Sequence, residues 1–125
     1  YDFPRSEQIA SCTWLTEQDL DVYEQEFTRS GLQGGLNWYR CGVSEIARDI
    51  LQLFRGAVLT QPTLFIAGAR DWGVFQSPGA YQRMQTEICS DFQGAHLVDQ
   101  AGHWVQQENP DRVNRLLLDF FANTL

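Results

Sequence analysis

Thr63-Leu64-Phe65-Ile66-Ala67-Gly68-Ala69-Arg70-Asp71 and Ala95-His96-Leu97-Val98-Asp99-Gln100-Ala101-Gly102-His103-Trp104 are the two stretches whose reading decides the fold. Each opens on a short apolar run and closes on a loop carrying one residue fit for acid–base chemistry. A run this short, bounded by turn residues, reads as a buried strand, and apolar side chains on both faces suit a parallel sheet. Thr63–Ala67 is therefore expected to be one fully buried strand and Ala95–Asp99 a second. Ser77–Cys89 between them reads as a helix, with Pro78 tolerated in its first turn. Asn109 caps a final helix with Pro110 at its first position, and Val113, Leu116, Leu117 and Phe120 form its buried stripe. Strand, helix, strand, helix is an α/β pattern. Two strands leave sheet edges unpaired, so further strands are expected from a missing N-terminal part or from a second copy.

A parallel strand that runs into a loop delivers the loop residues to the carboxyl edge of the sheet, where α/β proteins build their sites. Asp71 and His103 are expected on two such loops. A carboxylate bonded to one imidazole nitrogen fixes the tautomer and steadies the cation, leaving the other nitrogen free as a base. Gly102 permits the tight turn before the histidine. Taken singly, each residue has a plainer reading, since loop aspartates commonly cap turns. His96, inside a strand, reads as structural.

Outward toward the N-terminus, residues 1–13, with Pro4, read as irregular. Thr16 is an expected N-cap with Asp19 as its reciprocal partner, opening a helix from about Glu17 to Arg29. Leu20, Tyr23 and Phe27 share one face of that helix, and Gly31 ends it. Its five acids, Glu17, Asp19, Asp21, Glu24 and Glu26, read as a solvated face rather than a catalytic pair. Gly34-Gly35 is expected to break the chain before Leu36-Asn37-Trp38-Tyr39-Arg40 opens another helix. Ile46, Ile50, Leu51 and Phe54 have helical spacing over residues 45–55, and Gln61-Pro62 closes the region.

Composition narrows the function. The 125 residues suffice for one domain, and 43% hydrophobic content suits a packed core. A net charge of −7 argues against a nucleic-acid partner. No apolar run approaches the ~20 residues of a membrane span. All nine cationic side chains are arginine, so neither a Schiff-base lysine nor a P-loop lysine is present in this sequence. Cys12, Cys41 and Cys89 make no CxxC pair, and with His96 and His103 they have no metal-ligand spacing. Cys41 and Cys89, in apolar contexts, read as small hydrophobes. Their odd number favours a reducing, cytoplasmic location.

Trp14-Leu-Thr-Glu-Gln-Asp-Leu-Asp-Val-Tyr23, Gly34-Gly-Leu-Asn-Trp-Tyr-Arg40, Leu64-Phe-Ile-Ala-Gly68 with Asp71, and Gly102-His-Trp-Val-Gln-Gln-Glu108 with Pro110, Val113 and Asn114 together resemble the C-terminal part of a soluble-type epoxide hydrolase of the α/β-hydrolase fold. Gly-Leu-Asn-Trp-Tyr-Arg is the most specific piece, because it resembles the lid of epoxide hydrolases and not α/β hydrolases at large. The resemblance implies residues 1–41 as a helical lid segment and residues 42–125 as the C-terminal part of the hydrolase core. It implies a partial fold of two parallel strands with flanking helices, lacking the N-terminal strands.

The family's reaction adds water to an epoxide through an aspartyl ester, without metal or organic cofactor. By motif position Tyr39 corresponds to a lid tyrosine acting as acid, Asp71 to the residue that orients the base, and His103 to the base. The order nucleophile, acid, histidine puts the nucleophile upstream on a strand-to-helix turn, and no residue here corresponds to it. Trp38, Trp72 and Trp104 are expected to line a substrate pocket, although large aromatics beside active loops are as often core. Tyr23 reads as a packing residue. Two rivals remain open: another α/β hydrolase, such as a dehalogenase or esterase, and a non-catalytic interaction module. The 125 residues alone are expected to be inactive.

Overall fold

A computed structural model describes residues 5–124. Pro4, within the expected irregular N-terminal stretch, lies outside the described residues. The chain forms two compact units, Tyr1–Arg55 and Gly56–Leu125.

The first unit is helical: α1 (Ser6–Ala10), α2 (Glu17–Ser30), α3 (Gln33–Gly42) and α4 (Glu45–Gln52). Helix α1 was not expected from the sequence. It closes because the Arg5 amide donates to Gln8 Oε1 at 2.8 Å, satisfying a group that a helix start leaves unpaired. The Thr16–Asp19 box opens α2 as expected: Asp19 N–H donates to Thr16 Oγ1 at 3.2 Å and Thr16 N–H to Asp19 Oδ2 at 2.8 Å. These bonds from Thr16, side chain first, hold the Asp19 carboxyl below its ordinary range. Gly31, at φ +69°, ends the helix in a conformation that a Cβ disfavours.

The break at Gly34-Gly35 does not occur. Both glycines sit in the first turn of α3, and the chain turns earlier, at Gly31. Ser44 caps α4 by accepting from Ala47 N–H at 3.1 Å. All five acids of α2 are exposed. The Leu20–Tyr23–Phe27 stripe is not buried either; Tyr23 and Phe27 stack on one another at 6.5 Å. Cys41 is exposed on α3, against the expectation of a buried small hydrophobe, whereas Cys89 is buried.

The second unit holds β1 (Thr63–Gly68) and β2 (Phe92–Val98), which pair in parallel from Thr63↔Phe92 to Gly68↔Val98. The register slips between Thr63 and Leu64, opposite Gln93, and Gly94 adopts φ +149° beside this bulge. Strand β1 is only half-buried until its last two residues, Ala67 and Gly68. The described residues supply it with a single neighbouring strand, so its apolar faces are covered only in part, as expected of a strand that calls for further neighbours. The expected Ser77–Cys89 helix is shorter and changes pitch. Gly79 at φ +77° delays its start, α5 spans Ala80–Arg83, and Met84–Ile88 widens into a π-turn closed by Cys89 N–H to Met84 O at 3.1 Å.

After β2 comes a single helical turn, α6 (Val105–Glu108), then α7 (Pro110–Thr124). Asn109 accepts from Arg112 N–H at 3.3 Å, the expected cap of α7. Val113 and Leu116 are buried and Phe120 is half-buried, but Leu117 faces outward. Its place one step beyond Leu116 rotates it by 100° off the buried line. The core joins Val98, Ala101, Val105, Val113 and Leu116, with Ile66 packed against it. It is thus centred on the end of β2 and the loop that follows.

Candidate active site

The two loops that leave β1 and β2 are bound to each other by backbone. Ala69 N–H donates to Val98 O at 2.9 Å, Arg70 N–H to Ala101 O at 2.9 Å, and Asp71 N–H back to Gly68 O at 3.0 Å. They approach so closely at Gly68 that a Cβ there would lie 2.1 Å from the Gly102 carbonyl oxygen. Gln100 turns the β2 loop at φ +63°, a left-handed conformation uncommon for a residue with a side chain. The loop is then pinned by Ala101, 2% exposed, and Val105, 8% exposed. His103 stands between these two buried anchors with its own side chain 57% exposed.

Asp71 and His103 meet. His103 Nδ1 lies 3.1 Å from Asp71 Oδ1, and the aspartate side chain is only 12% exposed. The same oxygen accepts Gly73 N–H at 2.8 Å, so Asp71 also caps the short 3-10 turn Trp72–Val74. The capping role and the partnership with histidine therefore coexist in one carboxylate. The Gly73 amide is the main cause holding the Asp71 carboxyl below its ordinary range; the His103 contact adds to it and burial opposes it. An ionised carboxylate can only accept, so the bonded Nδ1 must carry the proton. In the neutral ring the lone pair then belongs to Nε2, on the opposite side.

Two indoles flank the imidazole. Trp72 stacks on it at 6.3 Å, 18° from parallel, and Trp104 meets it edge-on at 5.3 Å. Both are themselves more than half exposed, as is Trp38. Trp38 and Tyr39 lie on α3 in the first unit, exposed by 80% and 74%. His96 lies within β2, its ring over the bulge glycine Gly94, and takes no part in the pair. Among the described residues no three His, Cys, Asp or Glu side chains gather so as to hold a metal ion, and no helix is long and apolar enough to cross a membrane.

One residue without an assigned role in the sequence reading stands beside the pair. Glu108 accepts Gly102 N–H at 2.7 Å and Trp104 N–H at 3.0 Å. The sequence signal was its place five residues after the histidine, which becomes meaningful only once a single helical turn folds it back.

The chain that carries this pair is similar to proteins of known identity. No family model matches the chain. Epoxide hydrolase B of Mycobacterium tuberculosis is 42% identical over 109 residues, which is 87% of this chain and 30% of that protein. Epoxide hydrolase A of the same organism is 39% identical over 113 residues, 87% of this chain and 32% of that protein. Among solved structures, an epoxide hydrolase from an endophytic Streptomyces superposes with a TM-score of 0.81 at 44% identity, covering 88% of this chain and 32% of that one. Potato (Solanum tuberosum) epoxide hydrolase I superposes with a TM-score of 0.80 at 27% identity, covering 97% of this chain and 41% of that one. The chain thus spans about a third of the length of the curated relatives it matches. It is similar to the C-terminal part of epoxide hydrolases, and its paired strands and flanking helices are part of an α/β-hydrolase fold.

Proposed function

We propose that the protein carrying these residues adds water to an epoxide to give a vicinal diol, and that this segment supplies the water-activating half of the site. The observation that carries the reading is the 3.1 Å Asp71–His103 contact on adjacent strand-end loops, in a chain similar to epoxide hydrolases over most of its length. In the proposed sequence, a carboxylate from outside these residues attacks an epoxide carbon. The C–O bond breaks and an ester forms. Tyr39, on a lid formed by residues 1–41, donates to the departing oxygen. His103 Nε2 then takes a proton from water, and the hydroxide attacks the ester carbonyl. Diol leaves, the carboxylate is restored, and the proton gained by the imidazolium replaces, through solvent, the one given by Tyr39. Asp71 holds the ring and steadies the imidazolium. Residues 42–125 belong to the core that presents the pair. Trp72 and Trp104 border the substrate, with Trp38 contributing from the lid. The cytoplasm is the proposed location, argued from the unpaired cysteines.

The test is His103→Gln in the full-length protein. Ester formation should continue and turnover should stop, so mass spectrometry should find the protein heavier by the mass of the epoxide. Steady-state turnover at the wild-type rate would remove His103 as the base.

A further inference from the structure

Glu108 is a half-buried carboxylate that the mechanism above leaves unused. It is the last residue of α6, and that turn is closed by Gln107 and Glu108 N–H to Trp104 O, both at 2.8 Å. The turn carries the Glu108 side chain back over the start of its own helix. There its two oxygens take separate amides: Oε2 accepts from Gly102 and Oε1 from Trp104. These are the residues immediately before and after His103. Two backbone N–H groups two residues apart form a small concave anion site, and here the anion is supplied by the chain itself. The contact is close enough to constrain position 102, where a Cβ would lie 3.2 Å from Glu108 Oε1.

We propose that Glu108 is a positioning residue for the base: by holding the amide of the residue before His103 and the amide of the residue after it, in peptide units 101–102 and 103–104, it aims the imidazole so that Nδ1 reaches Asp71. The backbone leading into the loop turns through the unfavourable φ of Gln100, and the ring has solvent over more than half its surface. Packing within these residues therefore does not hold this ring. Neither Trp72 nor Trp104 is buried enough to do so. The carboxylate holds the loop through two amides, and Asp71 holds the ring through Nδ1. The consequence for catalysis rests on the proposed epoxide hydrolysis; the consequence for ring geometry does not.

The experiment uses the full-length protein with Glu108→Ala and Glu108→Gln. Alanine frees both amides. Glutamine keeps the shape but can accept with only one oxygen, and its amino group opposes the second N–H. A misplacement of about 1 Å is expected to cost up to about 10²-fold in rate. The loss should fall on ester hydrolysis, with ester formation unchanged, so that covalent adduct accumulates during turnover. The glutamine variant should lie between wild type and alanine. If Glu108 served stability alone, both half-reactions would fall together with the folded fraction, and that result would overturn the proposal. Nitrogen-15 NMR of the His103 ring provides a readout independent of activity. Wild type should show an Nδ1 proton in a hydrogen bond, which Glu108→Ala should broaden or lose while the remaining spectrum stays dispersed. An unchanged Nδ1 signal in both variants sinks the positioning role. If alanine fails to fold, glutamine carries the same two measurements. Should wild type hydrolyse no epoxide, the functional reading fails, and the ring signal still decides on Glu108.

Discussion

Asp71 does two things with one oxygen, and the order of its pKa causes says which matters for the other. The Gly73 amide, more than His103, keeps the carboxyl ionised. The histidine therefore meets a carboxylate whose charge is held chiefly by backbone, with His103 adding to it. The sign of the pH dependence follows. A carboxyl held below its unfolded value contributes stability that is present above that value, and the contribution is lost as pH falls through the lower folded value. Acid below the ordinary carboxylate range, rather than mild acid, should break the Asp71–His103 contact. Replacing Asp71 with Asn tests the charge directly. The amide can still accept from Gly73, but it cannot steady an imidazolium. A loss of about 10³–10⁴-fold in ester hydrolysis is expected in the full-length protein, measured as single-turnover decay of the adduct. A loss below tenfold would reduce Asp71 to a turn cap.

At the scale of elements, the site is made by two loops that share a backbone. Gly68 ends β1 where the β2 loop crosses, and the carbonyls of Ala101 and Gly102 occupy the space of a side chain. Gly68→Ala must push the loops apart, breaking the Arg70 N–H to Ala101 O bond and moving Asp71 from His103. Overpacking of this kind costs about 1–3 kcal/mol, here against backbone that cannot rotate away. The full-length Gly68→Ala protein should unfold at lower denaturant and lose the Nδ1 signal of His103. Wild-type values for both would show that the crossing is looser than its geometry. The helix between the strands ends its π-turn at Ile88, and three residues separate it from the start of β2 at Phe92.

For the whole molecule the decisive fact is how little of the chain is buried. No described residue of the first unit is buried, and the second buries seven hydrophobic side chains. Ile46, Ile50, Leu51 and Phe54 line one face of α4 and its end, and all are more than half exposed. Each such side chain forgoes about 1.5–3 kcal/mol of burial. A polypeptide of residues 1–125 alone should therefore bind a hydrophobic dye, lack near-ultraviolet dichroism and unfold without a sharp transition. It should hydrolyse no epoxide, because in the proposed mechanism the pair only activates water and the carboxylate that forms the ester comes from outside these residues. A cooperative monomer with epoxide turnover would overturn the proposed division of labour.

Much of this was legible from sequence because it is local. The strands expected at 63–67 and 95–99, of which the second in fact begins three residues earlier at Phe92 and ends at Val98, the Thr16 and Asn109 caps and the α2 and α7 helices follow from apolar period and from side chains that bond within three residues. The Asp71 and His103 loops could be named because a parallel strand delivers its next residues to one edge of the sheet. What only the tertiary structure decided is non-local or depends on a bend. The glycine pair proved helical because Gly31 had already turned the chain. Glu108 reaches the His103 loop only because one helical turn reverses its direction, and Gly68 is constrained by carbonyls more than thirty residues away in the chain. Spacing along a sequence carries a period, but it does not carry which backbone will cross it.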